Sequence, residues 1–218
     1  MKTMKYSEKQ KIDWILMNLR LSGSPISEET AADIAAGGFA MDAPLEYHLL
    51  IGRLLDVLHL MEISAKENRE LSCGLLGEFY RTVSGGAEPF YRKSTPVLFH
   101  LSYNPVLPQE VEEELSALFR KLNDEAVYEP LSQAAWIHNE LIRIYPYDEF
   151  SEIIARAAME YELLYSGKPM CPLTLQETEY NCALTEYLKG RGGDKILENL
   201  RLNELMGEQI REKNTFQI

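Results

Sequence analysis

Along most of the chain apolar residues recur at intervals of three and four, and clusters of proline, glycine and serine separate the periodic stretches. That period predicts a mostly α-helical protein. Ile12 to Leu21 forms a first apolar stripe, ending near Ser22-Gly23-Ser24-Pro25. Ser27 reads as the N-cap of a helix that stops at Gly37-Gly38. Pro44 opens a long helix from Leu45 to about Glu62, with Leu45, Leu49, Leu54, Leu55, Leu58 and Met61 as its apolar positions. A further helix is expected from about Lys66 to Arg81. Val97 to Tyr103 alternates instead with a period of two: Val97, Phe99, Leu101 and Tyr103 against Leu98, His100 and Ser102. This predicts a strand, and Pro96 and Pro105 on either side place it at an edge or in a hairpin. Helical spacing returns with Val111, Leu115, Leu118, Phe119 and Leu122. Pro130 opens a helix that Pro146 closes, since the residue before a proline leaves helical space. Ile153, Ile154, Ala157, Tyr161 and Leu164 mark the next helix, which Gly167 and Pro169 end. Thr174-x-x-Glu177 predicts a capping box for a helix reaching Leu188. After the Gly190–Gly193 breaker, a polar helix fills the tail. The expected organisation is one domain over residues 1–190, including an N-terminal helical segment, with a helical tail over 191–218 packed on it or extending from it.

Composition narrows the function. Twenty-two basic residues against 34 acidic ones give a formal charge of −12, which disfavours a phosphate-tracking surface and predicts no nucleic-acid partner. No apolar run reaches the roughly 18–20 residues of a membrane span, and Met1 to Gln10 is too polar for a signal-peptide core. Cys73, Cys171 and Cys182 are odd in number and widely spaced, and no C-x-x-C occurs. Three reduced cysteines and a cytoplasmic location are expected. The four histidines, His48, His59, His100 and His138, make no zinc motif.

The informative stretch is Ala134-Ala135-Trp136-Ile137-His138 through Ile144-Tyr145-Pro146-Tyr147, followed by a short loop and a helix ending at Gly167-Lys168-Pro169. It resembles the Fic (Fido) family of nucleotidyl transferases, whose members carry A-A-W-x-H-x-x-F-x-x-I-H-P-F-x-D-G-N-G-R-x-x-R and later G-x-P. Pro89-Phe90-Tyr91-Arg92 is similar to the family's G-x-Y-R element ahead of its flap, and Val97 to Tyr103 falls where the flap strands belong. The resemblance covers roughly residues 12 to 190. It implies a mainly α Fic-type helical bundle with a small β-hairpin flap. It also implies a flap that pairs with an extended target segment by strand addition. Leu21-Ser22-Gly23-Ser24 takes the place of the inhibitory I-E-G-N segment, with serine where relatives set a glutamate against the second arginine of the motif.

The motif itself is altered. Tyr145 stands at the catalytic histidine and Glu149 at the metal-binding aspartate. Phe150 and Glu152 replace both glycines, Ser151 the asparagine and Ile153 the first arginine; Pro146 and Arg156 are retained. Transfer to a hydroxyl needs a base that titrates near working pH, as histidine does. A tyrosine, with a pKa near 10, is phenolate to only about one part in a thousand at pH 7. Glycines let backbone N–H groups cradle phosphate through positive-φ turns, which Phe150 and Glu152 disfavour. Asp148, Glu149 and Glu152 add like charge where triphosphate would enter. These changes predict a degenerate member without AMP-transferase activity that acts as a protein- or peptide-binding module. The alternative is a transferase of altered chemistry that uses ATP and Mg²⁺, or another phosphate-containing donor, with metal at Glu149.

On the first reading no cofactor is expected. Val97, Phe99, Leu101 and Tyr103 would face a protein or peptide partner, or a second copy in a homo-oligomer. Tyr145, Ser151, Glu152 and Arg156 would be remnants of the nucleotide site. Taken residue by residue, His138 reads as a hydrogen-bonded core histidine and Tyr145 as a packing aromatic. Arg156, with Glu152 and Glu160 four residues to either side, reads as a surface ion-pair ladder. The Asp148/Glu149/Glu152 cluster reads as a solvated helix start.

Overall fold

A computed structural model describes residues 6–124, 129–191 and 194–215, with backbone alone for 124 and 208–215. Among these residues the chain forms α1 (Glu8–Leu21), α2 (Glu28–Ala35), α3 (Leu45–Lys66), α4 (Cys73–Ser84), α5 (Val111–Asp124), α6 (Pro130–Ile144), α7 (Ser151–Tyr165), α8 (Glu177–Leu188) and α9 (Lys195–Thr215). The centre is the antiparallel pair α6 and α7, joined by six residues. α7 is nearly buried all round: Ile153 through Leu164 are all buried, and alanines at 155, 157 and 158 allow close helix approach. α3 and α4 cover one side of it, and α1 lies across α3 and α8. α9 sends Ile196 and Leu200 into the same core. No described helix is long and apolar enough to cross a membrane.

Several boundaries follow the sequence signals. Ser27 caps α2, accepting a hydrogen bond from Thr30 N at 3.1 Å. Others do not. The helix expected from Lys66 is two pieces: α3 runs on to Lys66, Asn68 turns with φ 55°, and Ser72 caps α4 through Leu75 N. Along α3, Ile51 and Val57 are buried, whereas Leu45 and Leu49 lie exposed. Thr174 does not cap α8. Its N–H is held by Asn199 Oδ1 at 3.1 Å, and Gln176 forms the capping box with Glu179.

The expected strand is corrected as well. Val97 to Tyr103 contains a 3-10 turn, Phe99–Leu101, and one isolated bridge between Leu98 and Tyr103. Leu98 and Leu101 are buried, a spacing of three, while Val97 is 60% and Phe99 85% exposed. The alternation therefore names the wrong face. Two flanking prolines and the lack of a partner strand among the described residues leave no ladder to hold an extended chain. Thr185 Oγ1 instead donates to Leu101 O at 3.1 Å and ties the segment to α8.

Candidate functional site

The loop between α6 and α7 is fixed by its own backbone and by one buried arginine. Tyr145 ends α6 in the left-handed region, φ 51°, with its N–H on Leu141 O at 2.8 Å. Phe150 begins α7 at φ 62°. The sequence argument that a non-glycine residue disfavours such a turn is thus overridden here. Ile154 N donates to Phe150 O at 2.8 Å, and the Phe150 ring packs near Tyr80. Ser151 is buried, its Oγ accepting from Tyr147 N at 2.9 Å and donating to Tyr147 O at 2.8 Å. Arg92, also buried, donates to the carbonyls of Tyr145 (2.7 Å), Ser94 (2.9 Å), Ile144 (3.2 Å) and Val106. Burial lowers its pKa; the carbonyl ring, partly the C-terminus of α6, compensates the charge.

Arg156 is not a surface residue. It has no exposure, and Glu160 is buried elsewhere in the core without pairing to it. Its Nε donates to Asn18 Oδ1 at 2.8 Å, Nη2 to Ser22 Oγ at 2.9 Å and Nη1 to Tyr180 OH at 3.4 Å, with the Tyr180 ring 5.6 Å from the guanidinium carbon. Glu152 Oε2 stands 3.9 Å from Nη1. The expected register of the N-terminal segment is realised, since Ser22 faces Arg156 directly.

Behind Arg156 a directed chain of hydrogen bonds crosses the core. Asn139 Nδ2 lies 3.0 Å from Asp194 Oδ2, and a carboxylate only accepts, so Asn139 Oδ1 faces His138. His138 then carries its proton on Nδ1, and Nε2 accepts from Tyr180 OH at 2.9 Å. Burial pushes the His138 pKa down to about 4, which keeps the ring neutral and suits the structural role read for it from its apolar stripe.

In front of Arg156 lies a cavity of about 420 Å³, lined by Leu21, Ser22, His100, Tyr145, Phe150, Ser151, Glu152, Ile153, Glu177 and Asn181. His100 Nε2 and Glu152 Oε1 are 2.9 Å apart, linking the 3-10 turn to α7. Burial works against ionisation of Glu152, but the His100 hydrogen bond and the charge on Arg156 outweigh it and hold the carboxyl below its ordinary range. The same hydrogen bond raises His100. Burial, and then the Glu152 charge, push the Tyr145 phenol well above 10. Tyr145 is thus further from serving as a base than its residue type already implies.

Asp148 and Glu149 are exposed and do not line this cavity. The charge on Glu149 is felt by Tyr80 on α4. Among the described residues no three His, Cys, Asp or Glu side chains gather as a metal-binding group. Of the flap residues, Leu101 is buried and Tyr103 half-buried, leaving Val97 and Phe99 outward. Sequence reasoning missed His100, Glu177, Asn181 and Asn18 as site residues. Each comes from a segment remote from the loop, and none belongs to a local motif.

Comparison with known proteins agrees with this geometry. The model of the Fic/DOC family matches residues 54–163, just over half of the chain. No curated protein matches the sequence. Among solved structures, a Fic domain containing signaling protein from Bacteroides thetaiotaomicron superposes with a TM-score of 0.74 at 17% identity, covering 90% of this chain and 87% of that one. Residues 134–508 of Fic-1 from C. elegans superpose with a TM-score of 0.80 at 20% identity, covering 100% of this chain and 69% of that one. A Fic family protein from Desulfovibrio desulfuricans gives 0.69 at 15% identity, covering 96% and 66%. At these identities the superpositions establish the fold.

Proposed function

The chain belongs to the Fic/DOC family, and on that premise we propose that it is a member without nucleotide-transfer activity that works by binding a protein partner. The observation that carries the reading is the Glu152 carboxylate. It stands in the cavity, ionised, at the position the sequence pattern gives to a phosphate-cradling glycine. At about 4 Å two like unit charges repel by about 4 kcal/mol at an effective dielectric of 20. Triphosphate would meet that repulsion, and Arg156 offers no relief. Each of its nitrogens donates to a protein oxygen, and the guanidinium is fully buried and does not line the cavity. A base is also missing, because the residue at the motif histidine is a phenol whose ionisation burial suppresses.

The exposed Val97 and Phe99 belong to the segment whose His100 lines the cavity. They support partner binding by side-chain anchoring rather than by strand addition, since the segment presents no strand edge. Calorimetric titration with ATP and Mg²⁺ tests the reading. The natural chain is expected to give no heat. A reconstruction carrying Tyr145→His, Glu149→Asp, Phe150→Gly, Ser151→Asn, Glu152→Gly and Ile153→Arg, shown folded by circular dichroism, is expected to bind. The single variant Glu152→Gly serves if the reconstruction fails to fold. Micromolar binding by the natural chain, with label transferred to proteins of a lysate, overturns it.

A further inference from the structure

One buried arginine closes a surface loop at its neck. Arg92 donates to Ser94 O at 2.9 Å and to Val106 O, so a single guanidinium gathers both ends of residues 94–106. The same side chain reaches Tyr145 O, and the Arg92 N–H reaches Pro146 O at 3.0 Å, which fixes the neck to the end of α6. Loops of this size with their ends held together form compact units of their own. Beyond the neck the hold is slight. Among the described residues two hydrogen bonds join 95–105 to the helices: Thr185 Oγ1 on α8 to Leu101 O at 3.1 Å, and His100 Nε2 with Glu152 Oε1 on α7 at 2.9 Å.

Leu98 and Leu101 are the buried side chains of the loop's tip, one isolated bridge joins Leu98 to Tyr103, and Ser102 sits at φ 46°, where residues other than glycine are uncommon. The tip is therefore held in its turn largely from outside. His100 stands in the walls of two cavities, of about 420 and 410 Å³, which also share Asn181. The titratable groups that face it there are Glu152 from α7, Tyr145 from the α6–α7 loop, and Glu177, Cys182 and Glu186 from α8. Glu186 pairs with Lys195 at 2.8 Å, and the Arg156 guanidinium stands 3.9 Å from Glu152.

We propose that residues 94–106 form a hinged lid over these cavities: Arg92 is the hinge, the His100–Glu152 pair is the latch, and loss of the His100 proton loosens the tip. A carboxylate only accepts, so Nε2 carries a hydrogen in either state and the proton leaves from Nδ1. The hydrogen bond survives, but its ionic component does not. The Glu152 hydrogen bond raises the His100 pKa from 6.5 against the opposing effect of burial, and the charges on Glu152 and Glu177 add to it. Closure is thus favoured fully below pH 6.5, and that preference is lost as pH rises through the raised value. Glu152, held below the ordinary carboxylate range, stays ionised throughout. Once released, His100 leaves the walls of both cavities together. The lid goes beyond the partner-binding reading above and does not rest on it.

The test is hydrogen exchange of the full chain between pH 6 and 8, read by NMR at the amides of Leu101, Ser102 and Tyr103, which donate to Leu98 O and Phe99 O. After correction for intrinsic exchange, their protection is expected to fall about threefold across this range, the size of a partly exposed ion pair, while amides inside α7 keep theirs. His100→Gln retains an N–H donor but does not titrate. It should lower protection at pH 6 and remove the dependence on pH. Glu152→Gln should do the same and return the His100 pKa, followed through its ring protons, toward 6.5. A flat profile in the natural chain overturns the latch, as does a fall that persists in His100→Gln. A fall shared equally by the α7 amides overturns the lid, since the whole molecule would then be loosening. Exchange and calorimetry are independent, so the lid and the reading of the pocket as inactive fail separately.

Discussion

Arg156 keeps a full charge in the protein interior because each nitrogen has an oxygen to donate to, and the carboxylate nearest it, Glu152, stands 3.9 Å away. Ser22→Ala should cost about 1–2 kcal/mol in urea unfolding, since one buried N–H loses its acceptor. Arg156→Met should cost more, about 3–5 kcal/mol, because Asn18, Ser22 and Tyr180 all lose their donor. Titration gives a second prediction. Burial pushes Glu160 up to about 8 from an ordinary 4.5, one of its oxygens having no hydrogen-bond partner. A carboxyl raised in the folded state stabilises it fully below pH 4.5, and the contribution is lost as pH rises toward 8. His138, lowered to about 4, acts on the other limb: stability is lost as pH falls from 6.5 toward 4, because only the unfolded chain takes up the proton readily. Melting temperature against pH should thus fall on both sides. Glu160→Gln should make the alkaline limb shallower, the remainder being carried by Glu162, which burial raises to about 7. An alkaline limb as steep in the variant as in the natural chain would contradict the assignment.

Among the elements, the helices read most easily from sequence are those whose ends carry their own chemistry, as Ser27 and Pro130 do. The 66–81 segment misled because its apolar spacing runs across a real break. Asn68 tolerates a left-handed turn and Ser72 supplies a new cap. The 97–103 segment misled because alternation is meaningful only if a neighbouring strand exists to select it. Gly85 ends α4 at φ 79°, with its N–H on Thr82 O at 3.2 Å. Gly85→Ala should destabilise the protein by about 1 kcal/mol, since an L residue disfavours that backbone region. The Arg53 guanidinium, which would sit 2.4 Å from the new Cβ, must also move. Thermal unfolding checks this, and an unchanged midpoint would show that the α4 cap relaxes freely.

At the scale of the whole molecule, α9 is fastened to the site through the core. Asp194 anchors the chain of Asn139, His138, Tyr180 and Arg156, and Ile196 and Leu200 pack beside it. Leu200→Ala should cost about 2–5 kcal/mol by leaving a cavity, measurable as a fall in the urea midpoint. By itself the sequence determined the helical class, the position of the α6–α7 loop, the family and the replacement of the motif's histidine, glycines and first arginine. All of these are written in local spacing and residue type. Tertiary structure alone decided that Arg156 is sealed against Asn18 and Ser22, that His100 pairs with Glu152, and that Glu177 and Asn181 border the same cavity. The groups that pair there lie between 52 and 138 residues apart along the chain. No periodicity along the chain specifies which distant side chain the packing of α1, α7 and α8 brings into reach.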